Sequence, residues 1–305
     1  MSLLDGKVAI VTGAGRGIGR SEAMLLASHG ARVVVNDFGG PLRTDGEQDS
    51  GPAHSVVEEI RAAGGEAVAN VSDVSDWNGA KGLVAQAIDT FGSLDIVVNN
   101  AGVVREAMSF NLDEADWDIV IRVHLKGTFG TIRFAGEYWR DRAKATGKPV
   151  DAAIVNTSSV NGLNGGMPGH VNYAVAKSAI ATMTITIARE LAKYGVRCNA
   201  IAPVAFTRMT ESLWGGELFS DERREELGPE GVAAVAGWLA SPLSSHVNGQ
   251  IIAVHGHQSY VWSGWTPSNP INTSGAWTLD SFDAAAAGLF VDRDPGVPQP
   301  GSGEA

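Results

Sequence analysis

Short runs of β-branched and apolar residues alternate along this chain with longer stretches in which apolar positions recur at helical spacing. Such continuous apolar runs are typical of strands that helices cover on both faces. The alternation therefore predicts a parallel sheet between two layers of helices. The predicted strands are residues 7–12, 31–36, 66–71, 94–98, 152–157, 196–201 and 250–254, and the clearest helices are 20–29, 55–63 and 76–91.

This alternation predicts the fold class and the domain limits. Right-handed crossovers between about seven parallel strands give an α/β, doubly wound, Rossmann-type sheet. Residues 1–255 are expected to form this one domain, with no internal repeat. Residues 38–52 are rich in Gly, Asp and Pro and are interpreted as an insertion after the second strand. From residue 256 the periodicity is lost, so 256–305 is predicted to be an irregular C-terminal extension.

Composition narrows the range of partners and locations. Hydrophobic residues make up 44% of the 305 positions, which is enough to bury a sizeable core. The net charge of -11 argues against nucleic acid or an anionic membrane as a partner. A single cysteine excludes an intrachain disulfide, and the seven histidines lack metal-ligand spacing. We find no signal peptide or membrane-length apolar run, and we expect a cytoplasmic protein without a metal site.

A glycine-rich segment joins the first strand to the first helix. It reads Thr12-Gly-Ala-Gly-Arg-Gly-Ile-Gly19. Glycines there allow a tight turn, and the N–H groups of the following helix favour an anion such as a pyrophosphate. A flexible turn without a ligand is the alternative, but the strand before and the helix after are what a dinucleotide site requires. The predicted cofactor contacts in this segment are Gly13, Gly15, Arg16, Gly17, Ile18 and Gly19.

Asp37, just after the second strand, bears on the choice of cofactor. An acidic side chain there can accept hydrogen bonds from ribose hydroxyls and repels a 2′-phosphate, so it favours NAD over NADP. The alternative is a solvated loop aspartate. Arg16 and Arg43 remain candidates for contact with a phosphate.

Three further motifs resemble those of classical short-chain dehydrogenases/reductases. Asn99-Asn-Ala-Gly102 follows the fourth strand, Ser158-Ser159 follows the fifth, and Tyr173-Ala-Val-Ala-Lys177 matches the YxxxK motif of that family. The resemblance covers about residues 5–255 and is closest to the 3-hydroxyacyl-CoA dehydrogenase domain of peroxisomal multifunctional enzyme type 2. The segments that carry this closer match are 36–40 with the long insertion after them, 56–60, 122–127 and 202–210.

The resemblance implies a catalytic group of Ser159, Tyr173 and Lys177. Tyr173 and Lys177 are four positions apart on a predicted helix and therefore share a face. A nearby ammonium is expected to lower the pKa of the Tyr173 phenol, which then exchanges a proton with the substrate oxygen. Ser159 is expected to stabilise charge on that oxygen, and Ser158 is the alternative. Alone, a YxxxK pattern more often marks an exposed Tyr and Lys, but the other motifs reverse that expectation.

His124 stands where most members of the family carry asparagine in a proton relay. A neutral imidazole can both donate and accept, so it can serve in such a relay. A packed structural histidine is an equally good interpretation. The resemblance also implies cofactor contacts from Asp73, Val74, Asn100, Ala101, Gly102, Tyr173, Lys177, Pro203 and Thr207.

Residues 207–221 are expected to form a substrate lid. Its apolar members are Leu213, Trp214, Leu218 and Phe219, which pack either on a substrate or on the core. The sequence as a whole favours an NAD-dependent oxidoreductase that interconverts a secondary alcohol and a ketone. A 3-hydroxyacyl-CoA is the favoured substrate, and the alternatives are a hydroxysteroid dehydrogenase or a catalytically silent dinucleotide-binding protein.

The family resemblance also implies a homo-oligomer, either a tetramer or a dimer. The helices that follow the fourth and fifth strands are expected to pair between subunits. Trp262, Trp265 and Trp277 in the C-terminal extension either contribute to that interface or cover their own subunit.

Overall fold

The computed structural model describes residues 2–40, 49–206, 220–264, 267 and 269–291. Its centre is one eight-stranded sheet in the order β3-β2-β1-β4-β5-β6-β7-β8. Strands β1 to β7 pair in parallel throughout, which confirms the predicted Rossmann-type fold. The strands are β1 (Val8–Thr12), β2 (Arg32–Asn36), β3 (Ala67–Asn70), β4 (Ile96–Asn99), β5 (Ala152–Thr157), β6 (Val196–Val204), β7 (Ile251–His255) and β8 (Gln258–Trp262).

The strand order reverses between β1 and β4, and this switch point positions the site. In open parallel sheets the chain leaves neighbouring strands in opposite directions at such a point, which opens a crevice at their carboxyl ends. Every residue of β1, β4 and β5 is buried, as expected for strands covered on both faces. The glycine-rich segment and both candidate serines lie at this carboxyl edge.

Helices cover the sheet in two layers. One layer packs α1, α2 and α9 on one face through residues such as Leu26, Ile60 and Leu239. The other packs α3, α5 and α7 on the opposite face through Leu83, Trp139 and Ile187. The helices are α1 (Gly17–Ser28), α2 (Gly51–Ala62), α3 (Trp77–Phe91), α4 (Glu114–Ile121), α5 (Thr128–Thr146), α6 (Val160–Leu163), α7 (Val171–Leu191), α8 (Asp221–Glu226) and α9 (Pro229–Ala240).

A π-helical segment, Arg122–Gly127, joins α4 to α5. All three are helical without a break, so residues 114–146 form one long helix with a wide turn inside it. Such wide turns frequently occur at functional sites. His124 lies within this one.

Two helix boundaries differ from the predicted ones. The first helix begins at Gly17 rather than residue 20, so glycines of the loop already belong to its first turn. The second begins at Gly51, inside the predicted insertion, with Pro52 in its first turn. Proline is well tolerated there because the N–H it lacks has no partner at a helix start.

The region after residue 255 contains more regular structure than predicted. Gly256, with a φ of 56°, turns the chain into β8 after a two-residue connection, a link that only antiparallel strands permit. The chain divides into compact units of residues 1–261 and 262–305. Within the second unit, α10 (Leu279–Ala286) begins with a capping box at Thr278 and Ser281. Among the described helices, none is long and apolar enough to cross a membrane.

Candidate active site

The glycine-rich loop has the conformation of an anion-binding turn. Gly13 has a φ of 63°, and a Cβ at Gly19 would collide with the Gly13 carbonyl oxygen. The α1 helix follows with neither a side-chain cap nor an acidic residue in its first turn. The first N–H groups of α1 and the positive end of its dipole therefore face the loop without a side-chain partner or a nearby negative charge. Such a helix start suits a pyrophosphate. Gly15, Arg16, Gly17 and Ile18 lie in this same turn.

Asp37 is held against the loop by two backbone hydrogen bonds. Its Oδ2 accepts the N–H of Gly15 at 2.8 Å, and its Oδ1 accepts the N–H of Gly39 at 2.7 Å. The carboxylate is thus fixed beside the turn, next to glycines that are predicted to contact the cofactor. Arg16 lies 3.7 Å from the carboxylate of Asp49, and Arg43 falls outside the described residues.

The Asn-Asn-Ala-Gly segment is hydrogen-bonded to the start of the glycine-rich loop. Thr12 Oγ1 accepts the N–H groups of Asn100 and Ala101 at 3.0 and 3.1 Å. The Asn100 amide donates to the carbonyl oxygens of Thr12 and Gly13, both at 3.1 Å. These bonds lock the ends of β1 and β4 together, so Asn100 shapes the predicted nucleotide pocket through the loop. Gly102 packs directly on the ring of His124.

The remaining predicted cofactor contacts are dispersed around the same edge. Asp73 accepts hydrogen bonds from the N–H and hydroxyl of Ser75, each at 2.8 Å. Val74 is buried next to Gly127. Pro203 lies near the end of β6, in register with Val254. Thr207 and the predicted lid up to residue 219 lie outside the described residues.

Tyr173 and Lys177 project from the same face of α7, as their spacing predicted. The Lys177 Nζ lies 5.5 Å from the centre of the Tyr173 ring. It also donates to the Thr157 carbonyl oxygen at 2.7 Å, which ties α7 to the end of β5. Lys177 is only 3% exposed, and this burial lowers its pKa to about 7.

The two candidate serines at the end of β5 have different surroundings. Ser158 is fully buried and donates to the Lys177 carbonyl oxygen at 2.8 Å. Ser159 caps α6 and accepts the N–H of Asn161 at 3.2 Å. Burial raises the pKa of the Tyr173 phenol, and the nearby Ser159 side chain opposes that rise. The geometry therefore favours Ser159 as the serine that faces the reacting groups.

The predicted net lowering of the Tyr173 pKa by Lys177 is not seen. Burial is the larger effect and raises the pKa of the Tyr173 phenol, and the nearby Ser159 side chain offsets it only in part. The same burial removes charge from Lys177, since an ammonium with a pKa of about 7 is only partly protonated at neutral pH. The sequence showed the proximity of the two groups but not the extent of their desolvation.

His124 lies edge-on to Tyr173, with ring centres 5.3 Å apart and planes at 88°. Its Nε2 lies 2.7 Å from the Val103 carbonyl oxygen and 3.1 Å from the Val103 nitrogen. Burial first, and the charge of Lys177 second, lower the pKa of His124 to about 3, so the ring is neutral. Its Nδ1 is buried and has no hydrogen-bond partner among the described residues. The ring therefore keeps one nitrogen free of protein partners, which a relay through a bound water would require.

A buried polar ladder that the sequence analysis missed connects the helices on either side of this cluster. The Thr131 hydroxyl donates to Asn99 Oδ1 at 2.5 Å, and the Asn99 amide donates to Asn156 Oδ1 at 2.9 Å. The Asn156 amide then donates to the Thr184 hydroxyl at 2.9 Å. Asn99 and Asn156 are in register on β4 and β5. Two asparagines at the ends of otherwise apolar strands were the signal available in the sequence.

Comparisons with known proteins agree with this geometry. The family model described as enoyl-(acyl carrier protein) reductase matches residues 13–256. The hydroxyacyl-CoA dehydrogenase ChsB1 of Mycobacterium tuberculosis is 42% identical over 299 residues, covering 96% of this chain and 91% of that protein. The peroxisomal multifunctional enzyme type 2 of Mus musculus is 41% identical over 250 residues. That match covers 82% of this chain but only 32% of the mouse protein, so this chain spans about a third of it.

A solved structure gives the same result. The crystal structure of a short chain dehydrogenase from Mycobacterium avium superposes with a TM-score of 0.85 at 44% identity. The superposition covers 98% of this chain and 100% of the Mycobacterium avium chain. The glycine loop, the Asn-Asn-Ala-Gly turn and the Ser159, Tyr173 and Lys177 cluster thus occur together on a matching fold. This chain belongs to the short-chain dehydrogenase/reductase family, whose members are oxidoreductases that bind a nicotinamide dinucleotide.

Proposed function

We propose that this protein is an NAD-dependent dehydrogenase that interconverts a 3-hydroxyacyl-CoA and its 3-ketoacyl counterpart. The observation that carries the reaction is the grouping of Ser159, Tyr173 and Lys177 at the carboxyl end of β5, next to the glycine loop. The similarity to ChsB1, a hydroxyacyl-CoA dehydrogenase, supports this substrate class.

The residues of the loop fit a dinucleotide. The uncapped start of α1 and the left-handed Gly13 support a pyrophosphate site, and the position of Asp37 beside them supports a contact with the ribose. When bound, NAD supplies the acceptor of the hydride. Two buried polar atoms near the catalytic cluster, Thr157 Oγ1 and Asn161 Oδ1, lack partners among the described residues and are available to bound groups.

The protein's own residues control the proton. Because Ser159 Oγ accepts the Asn161 N–H, its own hydrogen is available to donate to Tyr173 or to the substrate oxygen. As the phenolate, Tyr173 accepts the alcohol proton during oxidation, and as the phenol it returns that proton during reduction. Lys177, held by the Thr157 carbonyl, keeps positive charge near the phenol when it is protonated.

The test is reduction of NAD⁺ and NADP⁺, followed by absorbance, with a 3-hydroxyacyl-CoA series beside a hydroxysteroid panel. We expect turnover of the thioesters with NAD⁺. Turnover of steroids alone would overturn the substrate class while leaving the reaction type intact. Binding of NAD without turnover of any alcohol would favour the silent dinucleotide-binding protein.

Asp37→Asn is expected to weaken the preference for NAD⁺ over NADP⁺. The substitution removes the charge that would repel a 2′-phosphate but keeps an oxygen to accept the Gly15 N–H. A like-charge contact costs several kcal/mol, so the ratio of kcat/KM values should shift toward NADP⁺ by at least about tenfold. The matched control is Asp49→Asn, which neutralises a carboxylate near the same loop. An equal shift in both variants would contradict a specific role for Asp37.

His124→Phe is expected to lower kcat by about 100-fold, in line with the loss of one proton-transfer group. Phenylalanine keeps an aromatic ring against Tyr173 but has no nitrogen for a relay. His124→Asn, which restores a donor and an acceptor, should recover most of the rate. Since the ring is already neutral, with a pKa of about 3, the relay group should add no pH dependence near neutrality. If His124→Phe and His124→Asn had the same kcat, with unchanged pH profiles, His124 would be identified as a packing residue.

The proposal also includes assembly and location. We place the protein in the cytoplasm as a homo-oligomer, a dimer or a tetramer, with α5 and α7 at the subunit contacts. The buried state of Cys198 is consistent with a reducing compartment. The exposed Phe129 on α5 and Val175 on α7 are apolar residues suited to such a contact.

A further inference from the structure

We propose that Met108, Phe110 and Met167 form an apolar rim that binds the acyl chain of the substrate and makes the enzyme favour long chains. This inference rests on the proposed function, because it assigns part of the same site to part of that substrate. The three residues come from two loops, one after β4 and one after α6. All three side chains are exposed, at 45%, 77% and 49%.

The two loops are joined by a seam of contacts, formed by residues 105–107 and 169–172. The Ala107 N–H donates to the Gly169 carbonyl oxygen at 3.0 Å. The fully buried Asn172 amide donates to the Arg105 carbonyl oxygen at 2.9 Å. Met108 directly follows one side of this seam, and Met167 lies two residues before the other. The seam therefore holds two residues of the rim on adjoining loops.

The seam leads directly to the catalytic tyrosine. Asn172 Oδ1 accepts the N–H of Tyr173 at 2.8 Å, while its amide holds the loop after β4. The loop that carries Met108 is thus fixed relative to the first turn of α7. A substrate whose reacting carbon lies at Tyr173 has these two loops beside its remaining atoms.

Three ionisable side chains of the seam lie close to possible partners, one of which is on α4. Arg105 Nε lies 3.2 Å from Asp116 Oδ1, and His170 Nε2 lies 3.3 Å from Glu106 Oε1. The large apolar side chains that the same loops leave exposed are Met108, Phe110 and Met167, and the polar residues Ser109 and Asn111 on either side of Phe110 are exposed as well. Exposed apolar side chains grouped beside a reaction centre indicate an apolar ligand, and two of the three are methionines, which adapt to flexible shapes. A hydrocarbon chain attached next to the reacting alcohol has this chemistry.

The rim predicts how catalysis depends on chain length. Each methylene that leaves water for an apolar contact can raise kcat/KM by up to about fourfold. We expect kcat/KM of the unmodified enzyme to rise along a 3-hydroxyacyl-CoA series. In Phe110→Ser and Met167→Gln, kcat/KM for the longest chains should fall by about tenfold. The shortest substrate should be turned over at its original rate.

Leu243→Ser is the matched control. Leu243 is 59% exposed, but it follows α9 at the opposite edge of the sheet, where Arg197 at the start of β6 donates to the Ser244 carbonyl oxygen. This variant should keep the full chain-length dependence. An unchanged dependence in both rim variants would overturn the proposal. A changed oligomeric size with unchanged chain-length dependence would also overturn it, by identifying the rim as a contact between copies.

A binding measurement separates failure of the rim from failure of the proposed function. The Kd values of saturated acyl-CoAs of increasing length, measured calorimetrically with NADH present, do not require turnover. Tighter binding of long chains that is lost in the rim variants would support the rim even if the enzyme oxidises a different alcohol. Binding that is independent of chain length in the unmodified protein would overturn it.

Discussion

Tyr173→Phe is expected to lower kcat/KM by about 10³-fold while leaving the affinity for NADH unchanged. The variant removes only the hydroxyl that exchanges a proton with the substrate, and positioned acid or base groups contribute about 10²–10⁴ in rate. The ring stays, so its packing against His124 and its place beside Lys177 are retained. Stopped-flow reduction of NAD⁺ and fluorescence titration with NADH measure the two quantities.

Tyr194→Phe is the control for this substitution. Tyr194 lies in the turn between α7 and β6, at the opposite edge of the sheet, where Lys193 lies over its ring. The loss of its hydroxyl should leave both the rate and NADH binding unchanged. If Tyr173→Phe retained most of the activity, the proton would have to pass through another group, and the assignment of Tyr173 would fail.

Glu22→Gln is expected to raise the free energy of unfolding, and this gain in stability should increase as the pH rises. Glu22 lies on α1 in an apolar layer beside Ala23 and Leu26, is 1% exposed, and neither of its carboxyl oxygens has a partner among the described residues. Burial raises its pKa from 4.5 to about 8. Between these values the folded state binds more protons than the unfolded state, so stability falls as the pH rises toward 8.

The glutamine variant lacks this penalty because its amide does not ionise. One pKa unit corresponds to about 1.4 kcal/mol, and the amide itself is costly to bury. We therefore expect the variant to be more stable on the order of 3 kcal/mol at about pH 9, and by much less at about pH 5. Urea unfolding at both values measures the difference. A gain independent of pH would contradict the ionisation argument.

Glu59→Gln provides the comparison for Glu22. Glu59 lies on α2, is partly exposed and pairs with Arg20, so its carboxylate is solvated and partnered. Its replacement should change the unfolding free energy by less than about 1 kcal/mol, as is typical for exposed ion pairs. The contrast isolates burial without a partner as the cause of the expected effect.

Much of the site was predictable from the sequence because its chemistry depends on local order. A strand, a glycine turn and a helix start must be consecutive to bind a phosphate, so the loop at residues 12–19 was visible in the chain. The spacing of Tyr173 and Lys177 fixed their shared helix face. The end of β5 similarly indicated Ser158 and Ser159, and the structure then separated them by their partners.

The features that were not predictable depend on contacts between distant segments. The desolvation that raises the pKa of Tyr173 comes from the packing of several elements, not from Lys177 alone. The wide turn at His124 has no sequence signature, since it differs from an ordinary helix only in its hydrogen bonding. β8 was missed because the sequence after Gly256 lacks apolar periodicity, and four of its five residues are exposed.

The ladder of Thr131, Asn99, Asn156 and Thr184 has a consequence for how this sequence can change over time. All four residues are at most 4% exposed, and each supplies a partner for the next. A lone replacement by an apolar residue leaves a neighbouring asparagine amide group without its ladder partner, whereas replacement of all four residues leaves none. Substitutions at these positions should therefore be inherited as sets, and engineering of the helices beside the site must exchange the ladder as one unit.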